Sequence, residues 1–226
     1  MPKDITIALA GNPNCGKSTV FNNLTGARQH VGNWPGVTVE KREGSCSCQG
    51  RSIKVVDLPG VYSLTAYSPD EIVARNFIVD ERPEVVVDIV DASNLERNLY
   101  LAVQLLEMGV PVVIALNMMD VADSRKYTID VKAMSKYLGV PVVPMVASRN
   151  QGTDQLLQEI CRIADNLSRV SELRIEYGRE VEHEITRLEE VISRNASSLK
   201  YSPRWLAVKL LEEDEEIAKK IQGGAG

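Results

Sequence analysis

Gly11-Asn12-Pro13-Asn14-Cys15-Gly16-Lys17-Ser18 is the stretch on which the reading of this chain turns. It fits G-x-x-x-x-G-K-[ST], and its surroundings have the order that such a loop needs. Ile5 to Ala10 is a short apolar, partly β-branched run, as in a buried strand. Thr19 to Leu24 opens a helix with Val20, Phe21 and Leu24 on one face. Between a strand and a helix, the glycines let the backbone curl so that successive N–H groups point inward, and the helix N-terminus adds the positive end of its dipole. Gly11 through Ser18, with Thr19, are therefore candidate phosphate-binding residues. Lys17 is placed to put a point charge on the β- and γ-phosphates, and the Ser18 hydroxyl to ligate Mg²⁺. A glycine-rich turn with an incidental Gly-Lys-Ser is the alternative, and the flanking strand and helix argue against it. A nucleoside-phosphate site is the expectation.

The rest of the composition bounds what such a site serves. The chain has 226 residues, 44% hydrophobic and 25% charged, enough for one sizeable core and a small second unit. A net charge of −5 without a long basic run argues against nucleic acid as the main partner. The N-terminus runs straight into a strand, so no signal peptide is read. No apolar run approaches the roughly 20 residues of a membrane-spanning helix. The cysteines are Cys15, Cys46, Cys48 and Cys161. A bridge at Cys15 would disrupt the phosphate cradle, and Cys46-x-Cys48 lacks a second Cys/His cluster, so strand packing outweighs a metal or redox role there. A reducing, cytosolic compartment fits best.

Residues 26–38 are rich in Gly and Pro and lack apolar periodicity, which predicts an exposed loop. Val37 to Ser47 and Ser52 to Asp57 read as an antiparallel hairpin about Gln49-Gly50. Helices are predicted at Pro69–Asp80, Leu95–Met108, Ile129–Leu138 and from Thr153, and strands at Val85–Val90, Val110–Leu116 and Val140–Met145. Strand and helix alternate, and the strands are apolar on both faces. This predicts an α/β fold, a mostly parallel six-stranded sheet flanked by helices, with ligands at the carboxyl ends of the strands. From about Asn166 the pattern becomes helical only, with Ser202-Pro203 as a helix start and Glu212 to Glu216 as a solvated charge run. The expected division is 1–165 and a small all-helical domain at 166–226, whose Gly223-Gly224-Ala225-Gly226 tail looks like a linker or a cut end.

Asn117-x-x-Asp120 after an apolar strand selects the base. A carboxylate there accepts two hydrogen bonds from the N1–H and N2–H₂ edge of guanine, whereas adenine would leave the acid unpaired. Val146, Ala147, Ser148 and Arg149 end the next strand, where backbone N–H groups can meet the guanine oxygen. Asp57-x-x-Gly60 at a strand end suits a carboxylate that holds Mg²⁺ through water and a glycine N–H that meets the γ-phosphate. Thr38, after Gly36 and Val37, is the candidate to offer a hydroxyl to Mg²⁺ and an N–H to the γ-phosphate; a plain strand threonine is the alternative. Both segments should order with triphosphate and relax after hydrolysis.

Together these segments resemble a small, Ras-like GTPase domain of the P-loop NTPase class. Asn12-Pro13-Asn14, Val31 to Glu40 and Asp57 to Leu64 are similar to the FeoB ferrous-iron transporter family, and Tyr201 to Ala207 is similar to that family's cytoplasmic helical domain. The resemblance implies GTP/GDP and Mg²⁺ as ligands, a dissociation-inhibitor or spacer role for the helical domain, and a polytopic membrane domain of the same full-length protein as partner. It implies a cytoplasmic portion of a cell-membrane protein, and leaves homo-oligomerisation open. Val61 stands where Ras-like enzymes carry a water-positioning Gln, so intrinsic hydrolysis should be slow or use another group. By resemblance to cation-dependent GTPases, Asn14 is the candidate to hold K⁺ against the phosphates; a polar residue suited to a tight turn is the alternative. The four residues assigned to catalysis are thus Asn14, Lys17, Thr38 and Gly60. Two positions depart from the general pattern: Met118 replaces a Lys over the base, and Ala147-Ser148 reverses the usual Ser-Ala. Trp34 is either a switch-loop aromatic or an anchor. A stand-alone GTPase of ribosome assembly would need a basic extension, whereas residues 166–226 carry 12 acidic and 10 basic side chains. A non-enzymatic guanine-nucleotide sensor is the third reading.

Overall fold

Ile5, Ile7 and Leu9 face one side of the first strand and Ala8 and Ala10 the other, and none is more than 3% exposed. A strand buried on both faces needs neighbours on both edges and helices above and below. The computed structural model, which describes residues 4–65, 67–165, 173–195 and 202–223, supplies them. Strands β1 (Ile5–Gly11), β2 (Gln29–Asn33), β3 (Glu40–Cys48), β4 (Arg51–Asp57), β5 (Val85–Asp91), β6 (Val112–Asn117) and β7 (Val142–Pro144) form one sheet in the order β2-β3-β4-β1-β5-β6-β7. β1 pairs in parallel with β4 and β5, and β5, β6 and β7 continue in parallel; β3 runs antiparallel to β4 and β2 antiparallel to β3. Leu9 thus lies opposite both Asp57 and Val87. That register brings the carboxyl ends of β1 and β4, with their loops, side by side.

Helix α1 (Lys17–Thr25) packs Val20, Phe21 and Leu24 against the Ile5, Ile7 and Leu9 face, together with Leu156 and Ile160 of α6 (Thr153–Asp165). Between them in sequence come α2 (Pro69–Asn76), α3 (Leu95–Glu107), α4 (Met119–Ser124) and α5 (Val131–Leu138). The start of α2 is set by a capping box, in which Ser68 accepts from the Glu71 N–H and Glu71 accepts from the Ser68 N–H. Asp130 caps α5.

The sheet has seven strands where six are expected. The additional strand, β2, lies within the predicted loop and is exposed along its whole length, so no apolar alternation could mark it. It is held instead by backbone pairing to β3 and by Gln29, whose amide donates to Asn22, Thr25 and the Gly26 carbonyl. The predicted helix at Pro69–Asp80 is also two pieces, α2 and then a π-helical turn at Phe77–Glu81.

The described residues divide into two compact units, drawn from Met1–Leu106 with Val110–Ser171 and from Glu107–Gly109 with Glu172–Gly226. In the second unit lie α7 (Arg179–Asn195), α8 (Pro203–Leu211) and α9 (Glu215–Gly223). Ser202 caps α8 by accepting from the Trp205 N–H, with Pro203 in the first turn. Ile185, Trp205, Leu206 and Ala207 are buried. Arg204 grips both oxygens of Glu182 at 3.0 and 2.7 Å and reaches the Ile175 carbonyl. That guanidinium, with the Tyr177 N–H, holds the Glu182 carboxyl down at about 2. Within the acidic run, Glu212, Glu213 and Glu215 are exposed. Tyr201 and the 224–226 tail lie outside the described residues.

One residue in the middle of the sheet contradicts the apolar pattern. Asp88 of β5 sits between Ala10 of β1 and Ile114 of β6, is 1% exposed, and neither carboxyl oxygen has a hydrogen-bond partner among the described residues. Burial alone pushes its carboxyl up to about 7. Below the ordinary aspartate range the group is neutral whether folded or not, so it adds nothing to pH dependence there. As pH rises toward 7, the unfolded chain ionises Asp88 and the folded chain resists, so the folded state loses ground until pH passes the folded value. Asp88→Asn is therefore expected to match the parent near pH 4 and to exceed it by about 2–4 kcal/mol at pH 8 in urea titrations.

Candidate nucleotide site

The cradle begins where β1 stops. A side chain at Gly11 would put its Cβ 2.7 Å from both the Cys15 sulfur and the Ile89 carbonyl oxygen, so only glycine lets the loop fold back over β5. Gly16 has φ 91°, in the left-handed region, and a Cβ there would lie 2.3 Å from the Asn117 amide nitrogen. Lys17 then starts α1 with its first turn directed into the loop. Residues 12–14 and 16–19, with Gly60, line a cavity of about 500 Å³. Cys15 contributes backbone only: its thiol is buried, and burial, with the Asp88 charge, pushes it up to about 12. Burial likewise raises Cys46 to about 11, and no described cluster of His, Cys, Asp and Glu suits a metal.

Asp57, at the end of β4 and 6% exposed, pairs with the Lys17 ammonium, and Arg42 approaches its other oxygen at 3.7 Å. The site therefore brings the predicted Mg²⁺-holding carboxylate and the predicted phosphate-binding ammonium into direct contact beside the cavity. With the Ser18 hydroxyl lining the same cavity, the oxygen donors present suit Mg²⁺, which keeps several waters and needs few protein ligands. Asn14 has φ 66° and an exposed side chain that makes no hydrogen bond among the described residues. Its amide oxygen is a hard ligand suited to K⁺, and its backbone equally suits the tight-turn reading, since Asn tolerates left-handed geometry.

The segment after β4 is drawn onto the cradle. Val61 donates its N–H to the Gly11 carbonyl at 3.2 Å and is buried, while a Cβ at Gly60 would touch Pro13 at 3.4 Å. Gly60 itself donates to no protein acceptor among the described residues. Gly36, Val37 and Thr38 are exposed and do not line the phosphate cavity. The reason is Trp34, which is buried edge-on against Phe77 at 5.4 Å and closes the turn by donating its backbone N–H to Val39. Trp34 and Val37 line a different cavity of about 490 Å³, beside Ile72 and Phe77. Trp34 is thus an anchor for this turn.

At the base end, Asn117 terminates β6 and Met118 turns the chain with φ 61° into α4, whose first turn holds Asp120. Asn117 is 3% exposed, and both ends of its amide are engaged: it donates to the Cys15 carbonyl at 2.9 Å and accepts from the Ala147 N–H at 2.9 Å. Its side chain therefore ties the phosphate loop to the turn after β7. The Ala147 carbonyl is held from the other side by Asn23 at 2.8 Å. Of the three residues at the end of β7, Ala147 is buried and its N–H is used, Val146 bridges to Gln151, and Ser148 is exposed. Asp120 is half-buried; one oxygen accepts from the Val121 N–H and the other faces Arg149 at 3.6 Å. Asn23 and Arg42 were not marked by any motif, because each acts through contacts with residues distant in sequence. Asn117→Ala removes two buried hydrogen bonds and is expected to lower stability by roughly 2–3 kcal/mol in urea titration.

The family model described as "Ferrous iron transport protein B" matches residues 5–160, and that described as "FeoB cytosolic helical domain" matches residues 177–225. The Fe(2+) transporter FeoB of Escherichia coli K12 is 45% identical over 216 residues, which are 94% of this chain and 27% of that protein. An Fe(2+) transport protein A/Fe(2+) transporter FeoB fusion protein of Porphyromonas gingivalis is 47% identical over 221 residues, 96% of this chain and 26% of that protein. The chain thus spans about a quarter of the length of these relatives. Among solved structures, the cytosolic domain of T. maritima FeoB is similar in a GDP form (TM-score 0.92, 37% identity, 98% of this chain and 86% of that one). It is also similar in a GMPPNP form (TM-score 0.91, 37% identity, 97% and 85%). With a phosphate cradle at β1, an acid at the end of β4, an Asn-x-x-Asp after β6 and both family domains matched in order, the chain belongs to the FeoB ferrous iron transport family, as its P-loop GTPase-like domain and cytosolic helical domain.

Proposed function

We infer that this chain binds GTP and Mg²⁺, hydrolyses GTP to GDP and phosphate, and serves as the cytosolic regulatory part of a ferrous iron transporter. The observation that carries this reading is the approach of Lys17, Ser18, Asp57 and Gly60 to one cavity at the carboxyl ends of β1 and β4. Phosphate oxygens offer Lys17, and a divalent cation offers Asp57, a partner better than each other, so nucleotide binding exchanges one ion pair for two. Gly60 N–H is the donor for the γ-phosphate, and Asp120 accepts from the guanine edge once Arg149 yields it. Ser18 and Asp57 would hold Mg²⁺ and Asn14 would hold K⁺, and these ions would supply positive charge to the phosphates. In hydrolysis the water oxygen forms the new bond to the γ-phosphorus while the bond to the β–γ bridging oxygen breaks; the water's proton passes to an oxygen of the released phosphate, and GDP leaves with the bridging oxygen and its electron pair. Val61, buried and aliphatic, offers no hydrogen bond to that water, so turnover is slow.

Thr38 reaches the site when the Trp34 turn leaves its resting place, a switch by rearrangement. The domain division proposed is 1–165 for nucleotide chemistry and 166–226 for the helical domain. No described helix is long and apolar enough to cross a membrane. The chain spans about a quarter of the length of its transporter relatives, which supports assigning iron passage to a membrane domain of the full-length protein. The GDP and GMPPNP forms and the transporter names among the similar proteins support the guanine and iron assignments.

Multiple-turnover hydrolysis compared in K⁺ and Na⁺ tests the catalytic half of this reading. Faster release of phosphate in K⁺, lost in Asn14→Ala, is the expected outcome, and equal rates in both salts would remove K⁺. For base selection, titration calorimetry should give GTP binding with ATP at least 100-fold weaker. Asp120→Asn should weaken GTP and favour the xanthosine nucleotide; unchanged GTP affinity would count against the base contact.

A further inference from the structure

Gly60 is fixed on one side by the cradle, through Pro13 and the Val61 bond to Gly11. On its other side stands Tyr62, whose ring is 40% exposed. The Arg97 guanidinium lies 3.9 Å from the centre of that ring, near the start of α3. Arg97 makes no ion pair among the described residues, so its charge is committed to the tyrosine face. Its backbone is held as well: Asn12, 3% exposed and lining the phosphate cavity, donates its amide to the Arg97 carbonyl at 3.2 Å. The turn that carries Arg97 is rigid. Asn98 accepts from the Asp91 N–H and donates to the Asn94 carbonyl, Asp91 accepts from the Ser93 N–H, and Arg125 donates to the Ser93 carbonyl.

We propose that Arg97 is a positioning residue for nucleotide hydrolysis: seated on the cradle through Asn12 and stacked on Tyr62, it holds the Gly60 stretch where its N–H meets the γ-phosphate. The proposal rests on the GTPase reading above and extends it to a residue that touches no nucleotide. Its chemistry is specific. A cation is needed over an aromatic face, and a triphosphate benefits from the arrangement while a diphosphate, lacking the γ-group, does not. Loss of the stack should therefore separate GMPPNP from GDP binding, which a general weakening of the fold would not do.

The test uses the 226-residue chain with Arg97→Ala, Arg97→Lys, Tyr62→Ala, Tyr62→Phe and the double alanine variant. In Arg97→Ala and Tyr62→Ala, kcat for GTP and the ratio of GMPPNP to GDP affinity are each expected to fall roughly three- to tenfold at unchanged GDP affinity. Arg97→Lys and Tyr62→Phe, which keep a cation and a ring, should retain at least half of the parent value. The double variant should lose no more than either single one, as two ends of one contact require. Losses that multiply, a GDP affinity that falls in step with kcat, or parent-like behaviour of Arg97→Ala would each overturn the proposal. Should the parent chain turn over no GTP, the GTPase reading fails by itself, and the GMPPNP-to-GDP ratio still decides the stack: an unchanged ratio in Arg97→Ala overturns it and a lowered one supports it.

Discussion

The site depends on the buried amide of Asn117. Its nitrogen bonds to the Cys15 carbonyl in the phosphate loop and its oxygen to the Ala147 N–H after β7, so one side chain sets the spacing between the place for phosphates and the place for a base. Because the amide fills the space beside Gly16, that position has no room for a side chain. Asn23 of α1 fixes Ala147 from its other face, which closes the circuit through the helix that carries Lys17. A buried network with every member satisfied is rigid, and rigidity here means that the two ends of a nucleotide meet preset partners.

Around that rigid half the remaining machinery is held by weaker or exchangeable contacts. Lys17 and Asp57 neutralise each other, and Arg42 stands beside them while lying over the Phe21 ring. The stretch from Gly60 to Tyr62 rests on the loop through one backbone bond and one stacked arginine, and the Trp34 turn rests on Phe77. Fixed groups thus define where a nucleotide lies, and groups with a second partner available define what changes when it arrives.

The layered α/β architecture was legible because most of its parallel strands are largely apolar runs that alternate with helical patterns, and Ser202-Pro203 starts α8 as its residues require. The phosphate loop was legible because its geometry forces glycine at 11 and 16. What sequence hid was the strand or side chain whose role is set by neighbours far along the chain. β2 is exposed on both faces and leaves no periodic trace. Asn117 belongs to a motif that names a base contact, yet its partners, Cys15 and Ala147, are 102 and 30 residues away. Asp88 sits in a run that otherwise reads as a buried strand, and only the register beside Ala10 and Ile114 reveals that it has no partner among the described residues. Trp34 could be read either way until Phe77 was seen beside it.

The turn closed by Trp34 has a mechanical meaning. Because its backbone N–H bonds to Val39, the intervening residues form a short closed loop between β2 and β3, with the Pro35-Gly36 turn at its tip and Thr38 at its closing end. Such a tip can swing as a small rigid paddle about its strand ends, instead of being gathered from a floppy chain. On the function proposed above, recruiting the threonine would sacrifice one aromatic seat and little chain entropy, which makes for a short and readily reversed stroke.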